Sequence, residues 1–425
     1  MRRMKVLHLI THLGIGGAQD NTLITVAGHS RNRYEVHLAT GLDYTDWQER
    51  GQTCADALFL FSDLRRSVQP RADWRALNQI TNFLREHKYD IVHTHSAKAG
   101  TLGCIAAQRA KVPIIIHTFH GFGWQVTRTT NTLPWQVYIS SIKKWFYTLI
   151  ERYAASKSDA LITVSELNKQ EAIKENLAPP EKFTTIYSGI DLSRFDVKVD
   201  RNEKILSLGL SPSQPIIGTI GRLSTQKAPL DFVRAAKIVI QQKPDVQFIM
   251  VGDGPLASEV RQAIGDEQGI KLLGYRDDVP EILSILDLFV LSSLWEGLGR
   301  ALTEAMIMGV PAAATAVDGV PELVTHQQTG LLSPPGDPIQ LAENIVGLLE
   351  HPDEAHKMGQ RAHNRVVPTF SAERMVENIE ALYERLLIEK GYGDMSETME
   401  QASSRATKRD VPQAKTRMTQ SNSRI

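Results

Sequence analysis

Cysteine is nearly absent from this chain: Cys54 and Cys104 are the two thiols in 425 residues. So spaced, they form neither a disulfide framework nor a zinc-binding set, and the pattern favours a reducing compartment. An excess of one charge is also lacking. Forty-eight Lys and Arg balance 48 Asp and Glu, which argues against a chain built as a whole to bind nucleic acid. No apolar run approaches the ~18 residues that a membrane-spanning helix needs. The opening Met1-Arg-Arg-Met-Lys-Val-Leu-His-Leu-Ile10 has a basic head but a short apolar run, so Lys5 to Ile10 reads as a first buried strand rather than a signal peptide. Two phosphate signatures are missing too. Without Gly-x4-Gly-Lys-Ser/Thr there is no P-loop, and without Asp-x-Asp the simplest carboxylate grip on a metal-bound diphosphate is gone. Cationic side chains would have to stabilise such a leaving group instead.

What is present is ample apolar material, 42% of the chain, at a length that suggests two or three domains. Strand-like and helix-like segments alternate. In the first half, strands are expected near 5–10, 35–39, 57–60, 91–93, 113–117 and 160–164, with helices at 72–86, 97–110 and about 133–155. In the second half, strands are expected at 215–220, 246–251, 271–273, 287–292 and 311–315, with intervening helices such as 230–241, 256–264 and 338–350. Such switching implies mainly parallel, doubly wound sheets. We expect an N-terminal domain at 1–190, a polar linker near 196–213, a C-terminal domain at 191–388 and a disordered polar tail at 389–425. The gap between the two domains is the default ligand cleft.

The richest stretch is Ser293 to Ala305, read S-L-W-E-G-L-G-R-A-L-T-E-A. Glu296 falls in a strand-to-helix loop and Glu304 one turn inside a helix closed by Gly309. In a helix, eight residues would separate two acids by roughly 12 Å, too far to flank one glycosidic bond as a hydrolase pair does. They suit opposite ends of an extended ligand, each carboxylate accepting from a sugar-like diol, with Gly297 and Gly299 letting backbone N–H groups come close. By itself the spacing means little, since it recurs in many helical proteins as two solvated surface acids.

Three other stretches carry chemistry. After the first strand, Thr11-His-Leu-Gly-Ile-Gly-Gly-Ala-Gln19 forms a glycine-rich turn able to face an anion, though Gln19 stands where a dinucleotide fingerprint needs its third glycine. In Gly221-Arg-Leu-Ser-Thr-Gln-Lys227, Arg222 and Lys227 can converge on a phosphate or be two exposed loop cations. At two strand ends stand His93-Thr-His95 and His117-Thr-Phe-His120-Gly121. These four histidines could make a metal site, but no Glu or Cys joins them at ligand spacing. We therefore expect no metal, read His93, His95 and His117 as helix-capping or loop-packing residues, and take His120 as the group facing a donor. Finally, Trp135, Tyr138, Ile142, Trp145, Phe146 and Leu149 recur at helical spacing beside Lys143, Lys144, Arg152 and Lys157. From Leu133 to Lys157 this is either a basic aromatic helix on an anionic membrane surface or a helix packing its stripe on the sheet.

Taken together, Gly-Gly-Ala-Gln19, His-Thr-Phe-His-Gly121, Gly-Arg-Leu-x3-Lys227, Val-Gly-Asp-Gly-Pro255 and Glu296-x7-Glu304 resemble, in order and spacing, the family 4 retaining glycosyltransferases over residues 4–388. His-Ser-Ala-Lys-Ala-Gly100 is similar to members that build bacterial surface polysaccharides. The resemblance implies an α/β GT-B fold, two doubly wound Rossmann-like domains facing across a cleft, the last helix (372–388) crossing back to the first domain. It implies sugar transfer from a UDP- or GDP-linked nucleotide sugar to a lipid-linked or oligosaccharide acceptor, without metal or further cofactor. Arg222 and Lys227 would bind the diphosphate and Glu304 the ribose. Glu296 and the backbone of Gly297, Leu298 and Gly299 would hold the sugar, with Gly16 and Gly17 approaching the phosphates and His120 orienting the sugar at the reacting carbon. Transfer would proceed by front-face attack assisted by the departing phosphate, in the cytoplasm or peripherally at the inner face of its membrane. A non-catalytic nucleotide-sugar-binding scaffold and a sucrose-phosphate or glycogen-type synthase share these features and stay open as alternatives.

Overall fold

The computed structural model describes residues 2–127 and 134–392. Strands β1 (Met4–Ile10), β2 (Tyr34–Gly41), β3 (Ala57–Phe61), β4 (Ile91–His95), β5 (Ile114–Phe119), β6 (Ala160–Thr163) and β7 (Phe183–Thr185) form a sheet in the order β3-β2-β1-β4-β5-β6-β7. Strands β8 (Ile216–Ile220), β9 (Gln247–Val251), β10 (Ile270–Gly274), β11 (Leu288–Leu291), β12 (Ala312–Thr315) and β13 (Leu331–Ser333) form a second, in the order β10-β9-β8-β11-β12-β13. All of these ladders are parallel. Each sheet grows outward in both directions from its first strand, so the winding reverses between β1 and β4 and again between β8 and β11. At such a switch point the loops leaving neighbouring strands part to opposite faces and open a crevice at their carboxyl ends. The expected pair of doubly wound sheets is therefore present.

Helices cover both faces, which is why the central strands are apolar without alternation. All four residues of β11 are buried. Leu288 and Val290 join one core with Phe248 and Met250, while Phe289 and Leu291 join another with Leu302 and Met306. In the first sheet Leu7, Leu9 and Val92 enter a core beneath the helices Pro70–His87 and Ala97–Ala110, and the intervening positions His8, His93 and His95 turn to the opposite face, fully buried.

Several elements differ from expectation. The stretch at 196–213 contains the helix Arg201–Ser207, whose N-cap Asp200 accepts from Glu203 N at 3.0 Å. Ile205, Leu208 and Leu210 of this stretch are buried in the core, so it is a packed segment rather than a free linker. Strands β7 and β13 have three residues each, too few to show a period. Helices Glu166–Lys174 and Pro352–Val366 were also unanticipated. The first compact unit, Met1–Glu380, includes the start of the helix Ala372–Glu389. There Met375 Sδ receives Asn21 Nδ2 at 3.0 Å and Gly189 N at 3.1 Å, which ties this helix to the helix Gly17–Gly28. The second unit, Ala381–Ile425, is described only to Tyr392, where the helix closes on Gly391 in a left-handed conformation (φ 81°). The tail assigned to disorder falls almost wholly outside the described residues.

Among the described residues no helix is long and apolar enough to cross a membrane. In the helix Pro134–Ser156, the described part of the stripe of large apolar residues faces away from the core. Ile142, Trp145, Phe146, Leu149 and Tyr153 are exposed, Trp145 to 64%. At about 100° per residue they share one face about 100° wide. The beginning of the Leu133 to Lys157 stretch, with Trp135 and Tyr138, lies outside the described side chains.

Candidate functional site

The loops that leave β8 and β11 are built as one unit. Gly221 N and Leu223 N donate to Val251 O and Asp253 O at 2.9 and 3.0 Å, laying the Gly221–Leu223 backbone on the Val-Gly-Asp-Gly turn after β9. Gly252 has φ 133°, and a Cβ there would strike the carbonyl oxygen of Gly221, so that turn needs glycine for both conformation and space. The effect is to present Arg222 outward: it is exposed and has no ion-pair partner among the described residues. Its charge acts on His12, in the loop after β1, whose pKa is lowered to about 4 by burial together with Arg66 and Arg222.

Lys227 ends the short turn Thr225–Lys227, and its Nζ pairs with Glu296 Oε1. Glu296 is buried, 5% exposed. Ser293 Oγ donates to the same carboxylate oxygen at 2.7 Å, and the Glu296 backbone N–H donates to Asp318 Oδ2 at 2.7 Å. Glu304 lies in the helix Arg300–Ile307, whose N-cap Gly299 takes a left-handed conformation (φ 100°). Burial raises the Glu304 pKa while the Arg300 guanidinium, with Nε 3.3 Å from its Oε1, opposes the rise. Leu298 is 4% exposed and its side chain belongs to the core, which leaves only its backbone to a ligand.

The first sheet meets these loops at two places. Gly17 opens the helix Gly17–Gly28, and a Cβ there would sit 3.6 Å from Arg300 Cδ. Asp20, one turn further on, is buried and pairs with Arg300 and Arg50, and Arg300 also donates to Gly189 O at 3.0 Å. Gly16 is extended at φ 172°, so glycine is not required there by conformation. His120 follows β5, and a Cβ on Gly297 would run into its carbonyl oxygen. That close approach is the physical reason for glycine at 297. The carboxyl ends of both sheets thus bring Arg222, Lys227, Glu296, the Gly297–Gly299 backbone and Glu304 into one neighbourhood with Gly16, Gly17 and His120.

Sequence reasoning missed the residues that hold this arrangement. Asp318, Asp20, Arg300 and Ser293 were not singled out, nor was Glu322. Glu322 accepts from Glu166 N at 3.0 Å, Leu167 N at 2.6 Å and Tyr187 OH at 2.9 Å, clamping the start of the helix Glu166–Lys174 to the short helix Val320–Leu323. Arg300 and Glu304 were legible as an i,i+4 pair, and Asp318-Gly319 as a turn. Nothing local marked Asp20.

The histidines do not cap helices. His93 and His95 lie within β4 and His117 within β5, all buried. The registers Thr94↔His117 and His93↔Ile116 put His117 on the sheet face opposite His93 and His95. His117 instead bonds Thr94 Oγ1 at 2.9 Å under the helix Ala97–Ala110. The potential ligand atoms of His8, His93 and His95 lie within 4.8 Å of one another, a grouping that joins His8 to two of the four expected histidines.

A model of the family described as Glycosyltransferase Family 4 matches residues 15–194, and one described as Glycosyl transferases group 1 matches residues 214–351. The chain is 34% identical over 341 residues to the UDP-Gal:alpha-D-GlcNAc-diphosphoundecaprenol alpha-1,3-galactosyltransferase of Escherichia coli, spanning 78% of this chain and 84% of that one. It is 24% identical over 401 residues to the capsular polysaccharide biosynthesis glycosyltransferase CapM of Staphylococcus aureus, spanning 92% and 99%. Among solved structures, Anabaena Alr3699/HepE in complex with UDP and glucose is similar in fold, with a TM-score of 0.74 at 22% identity over 90% of this chain and 99% of that one.

Proposed function

Since the chain belongs to the family 4 glycosyltransferases, we propose that it transfers a hexose, with retention, from a UDP-linked donor to a polyprenyl-diphosphate-linked saccharide in surface-polysaccharide assembly. The observation that carries this reading is the convergence of an exposed cation, Arg222, with the Lys227–Glu296 pair at the carboxyl end of the second sheet, against the His120 and Gly16–Gly17 loops of the first. The E. coli relative's name supports the uridine donor and the lipid-linked acceptor.

On this reading Arg222 and Lys227 neutralise the diphosphate as the bond to the sugar breaks, the task a metal ion performs elsewhere. The donor is a substrate and no cofactor is used. Lys227 now engages Glu296. An arriving phosphate competes for its Nζ, which frees Glu296 to accept from sugar hydroxyls while Ser293 still holds the carboxylate. Glu304 accepts from the ribose, and the Gly297–Gly299 N–H groups face the donor. With no carboxylate assigned as nucleophile, the departing phosphate takes the acceptor proton on the face it leaves.

The exposed stripe of Ile142, Trp145, Phe146, Leu149 and Tyr153, flanked by Lys143 and Arg152, supports a peripheral contact with the anionic inner face of the cytoplasmic membrane. There it meets a lipid-linked acceptor.

The test is transfer of radiolabelled hexose from UDP-sugars to a polyprenyl-diphosphate-GlcNAc acceptor in the presence of EDTA. Labelled lipid product from wild type, lost in Arg222→Ala, is expected. UDP-sugar binding without turnover on any lipid-linked or soluble acceptor would make the protein a scaffold instead.

A further inference from the structure

Beneath His120 a line of buried side chains runs through the first sheet. His120 Nε2 lies 3.3 Å from His95 Nδ1, His95 Nε2 lies 3.0 Å from His8 Nδ1, and His8 Nε2 lies 3.1 Å from His29 Nε2. His29 Nδ1 then lies 3.1 Å from Glu380 Oε1. Both nitrogens of His95, His8 and His29 are used, so each ring passes on a direction. A neutral imidazole has one N–H and one lone pair. A carboxylate only accepts, so His29 must carry its proton on Nδ1 and accept at Nε2. His8 is then Nε2–H, His95 is Nε2–H, and His120 is Nε2–H.

We infer that Glu380, through His29, His8 and His95, sets the tautomer of His120, leaving Nδ1 as the lone pair this ring offers to a sugar hydroxyl. Glu380 and the three intervening histidines are positioning residues, and the inference rests on the reading that places His120 at the donor sugar. The direction holds while His29 is neutral, and burial lowers the pKa of His29, His8, His95 and His120 alike. Protonating His29 would make both its nitrogens donors and reverse every bond, giving His120 its proton on Nδ1. Arg33 Nη1 and Ser30 N bind Glu380 at 3.4 and 2.9 Å, Arg31 acts on His8 and His29, and Arg300 acts on His120. His93 adjoins His8 and His95, His117 acts on His95 and His120, and Tyr34 faces His29 with ring centroids 5.4 Å apart. A metal at His8, His93 and His95 would need nitrogens that these bonds already occupy, His93 Nε2 being 2.7 Å from Thr118 Oγ1.

The test is a long-range proton–nitrogen NMR correlation on the full chain labelled at histidine, with His120 assigned by loss of its signals in His120→Asn. Wild type is expected to show the Nε2–H tautomer at His120, Glu380→Gln a mixture, and Glu380→Asp, which keeps the charge, the wild-type pattern. Transfer by Glu380→Gln should fall in kcat/KM by about tenfold, the size of one hydrogen bond, and Glu380→Asp should restore it. Should Glu380→Gln fold poorly, His8→Gln cuts the line at its middle and gives the same readout. An Nδ1–H tautomer at neutral pH, or a His120 tautomer unmoved by either variant, overturns the inference and leaves the donor site untouched. Stoichiometric zinc shifting His8, His93 and His95 together also overturns it. If the tautomer responds while His120→Asn transfers normally, the role given to His120 fails instead.

Discussion

Glu151, in the helix Pro134–Ser156, offers a quantitative test of how the loop after His120 is held. Its side chain is buried, the residue 4% exposed, and Oε1 accepts from Gly123 N at 2.8 Å. Oε2 is buried with no hydrogen-bond partner among the described residues. Burial, reinforced by Glu171 and opposed by the Gly123 N–H, raises the pKa from 4.5 to about 8. In the unfolded chain the carboxyl ionises above about 4.5, whereas in the fold it stays protonated to about 8. Folding therefore takes up a proton in that window. The stability Glu151 contributes is present at low pH and is lost as pH rises toward 8. A span of roughly 3.5 pH units at about 1.4 kcal/mol each comes to about 5 kcal/mol. Glu151→Gln keeps an oxygen for Gly123 and cannot ionise. It should match wild type within about 1 kcal/mol at pH 5 and exceed it by about 3 kcal/mol or more at pH 8. Urea denaturation of both proteins at the two pH values measures the difference, in which all other titrations cancel. Parallel stability–pH curves would refute the reasoning.

Arg222→Ala should leave folding within about 0.5 kcal/mol, because the side chain is exposed and has no ion-pair partner among the described residues, while kcat/KM falls by about a hundredfold for a lost charged contact. Lys227→Ala should lower both, since it strands the buried Glu296 at a cost of about 1–3 kcal/mol; thermal melts beside initial rates separate the two. Gly297→Ala pushes the loop off the His120 carbonyl and should cost about 1–3 kcal/mol together with most of the transfer rate, read by the same pair of measurements. Trp145→Glu combined with Phe146→Glu should abolish sedimentation with anionic liposomes and leave transfer to a water-soluble acceptor intact; unchanged sedimentation removes the membrane contact.

Much of the fold and part of the site were legible because they depend on short-range pattern. The runs Lys5–Ile10 and Asp287–Ser292 announced buried strands, their flanking glycines announced the turns, and Arg222, Lys227 and Glu296 sit in strand-to-helix loops with Glu304 one turn into the helix that follows. The same logic failed where the signal was too short, as in β7 and β13, or where a polar stretch hid three core residues, Ile205, Leu208 and Leu210. It misjudged the histidines for another reason. A histidine within a strand looks alike whether it packs, caps or relays, and its partner here is decided by the neighbouring strand.

Composition and local periodicity alone therefore determined the class of this protein: parallel, doubly wound α/β sheets with loops at their carboxyl ends bearing paired acids and cations. Only the tertiary structure decided which of those groups meet. His29 and Glu380 are 351 positions apart, and Glu322 reaches Leu167 across 155. Secondary structure needs hydrogen bonds between near neighbours and can be read along the chain. A buried charge or imidazole needs a partner in space, and that partner exists only once segments distant in the chain have packed together.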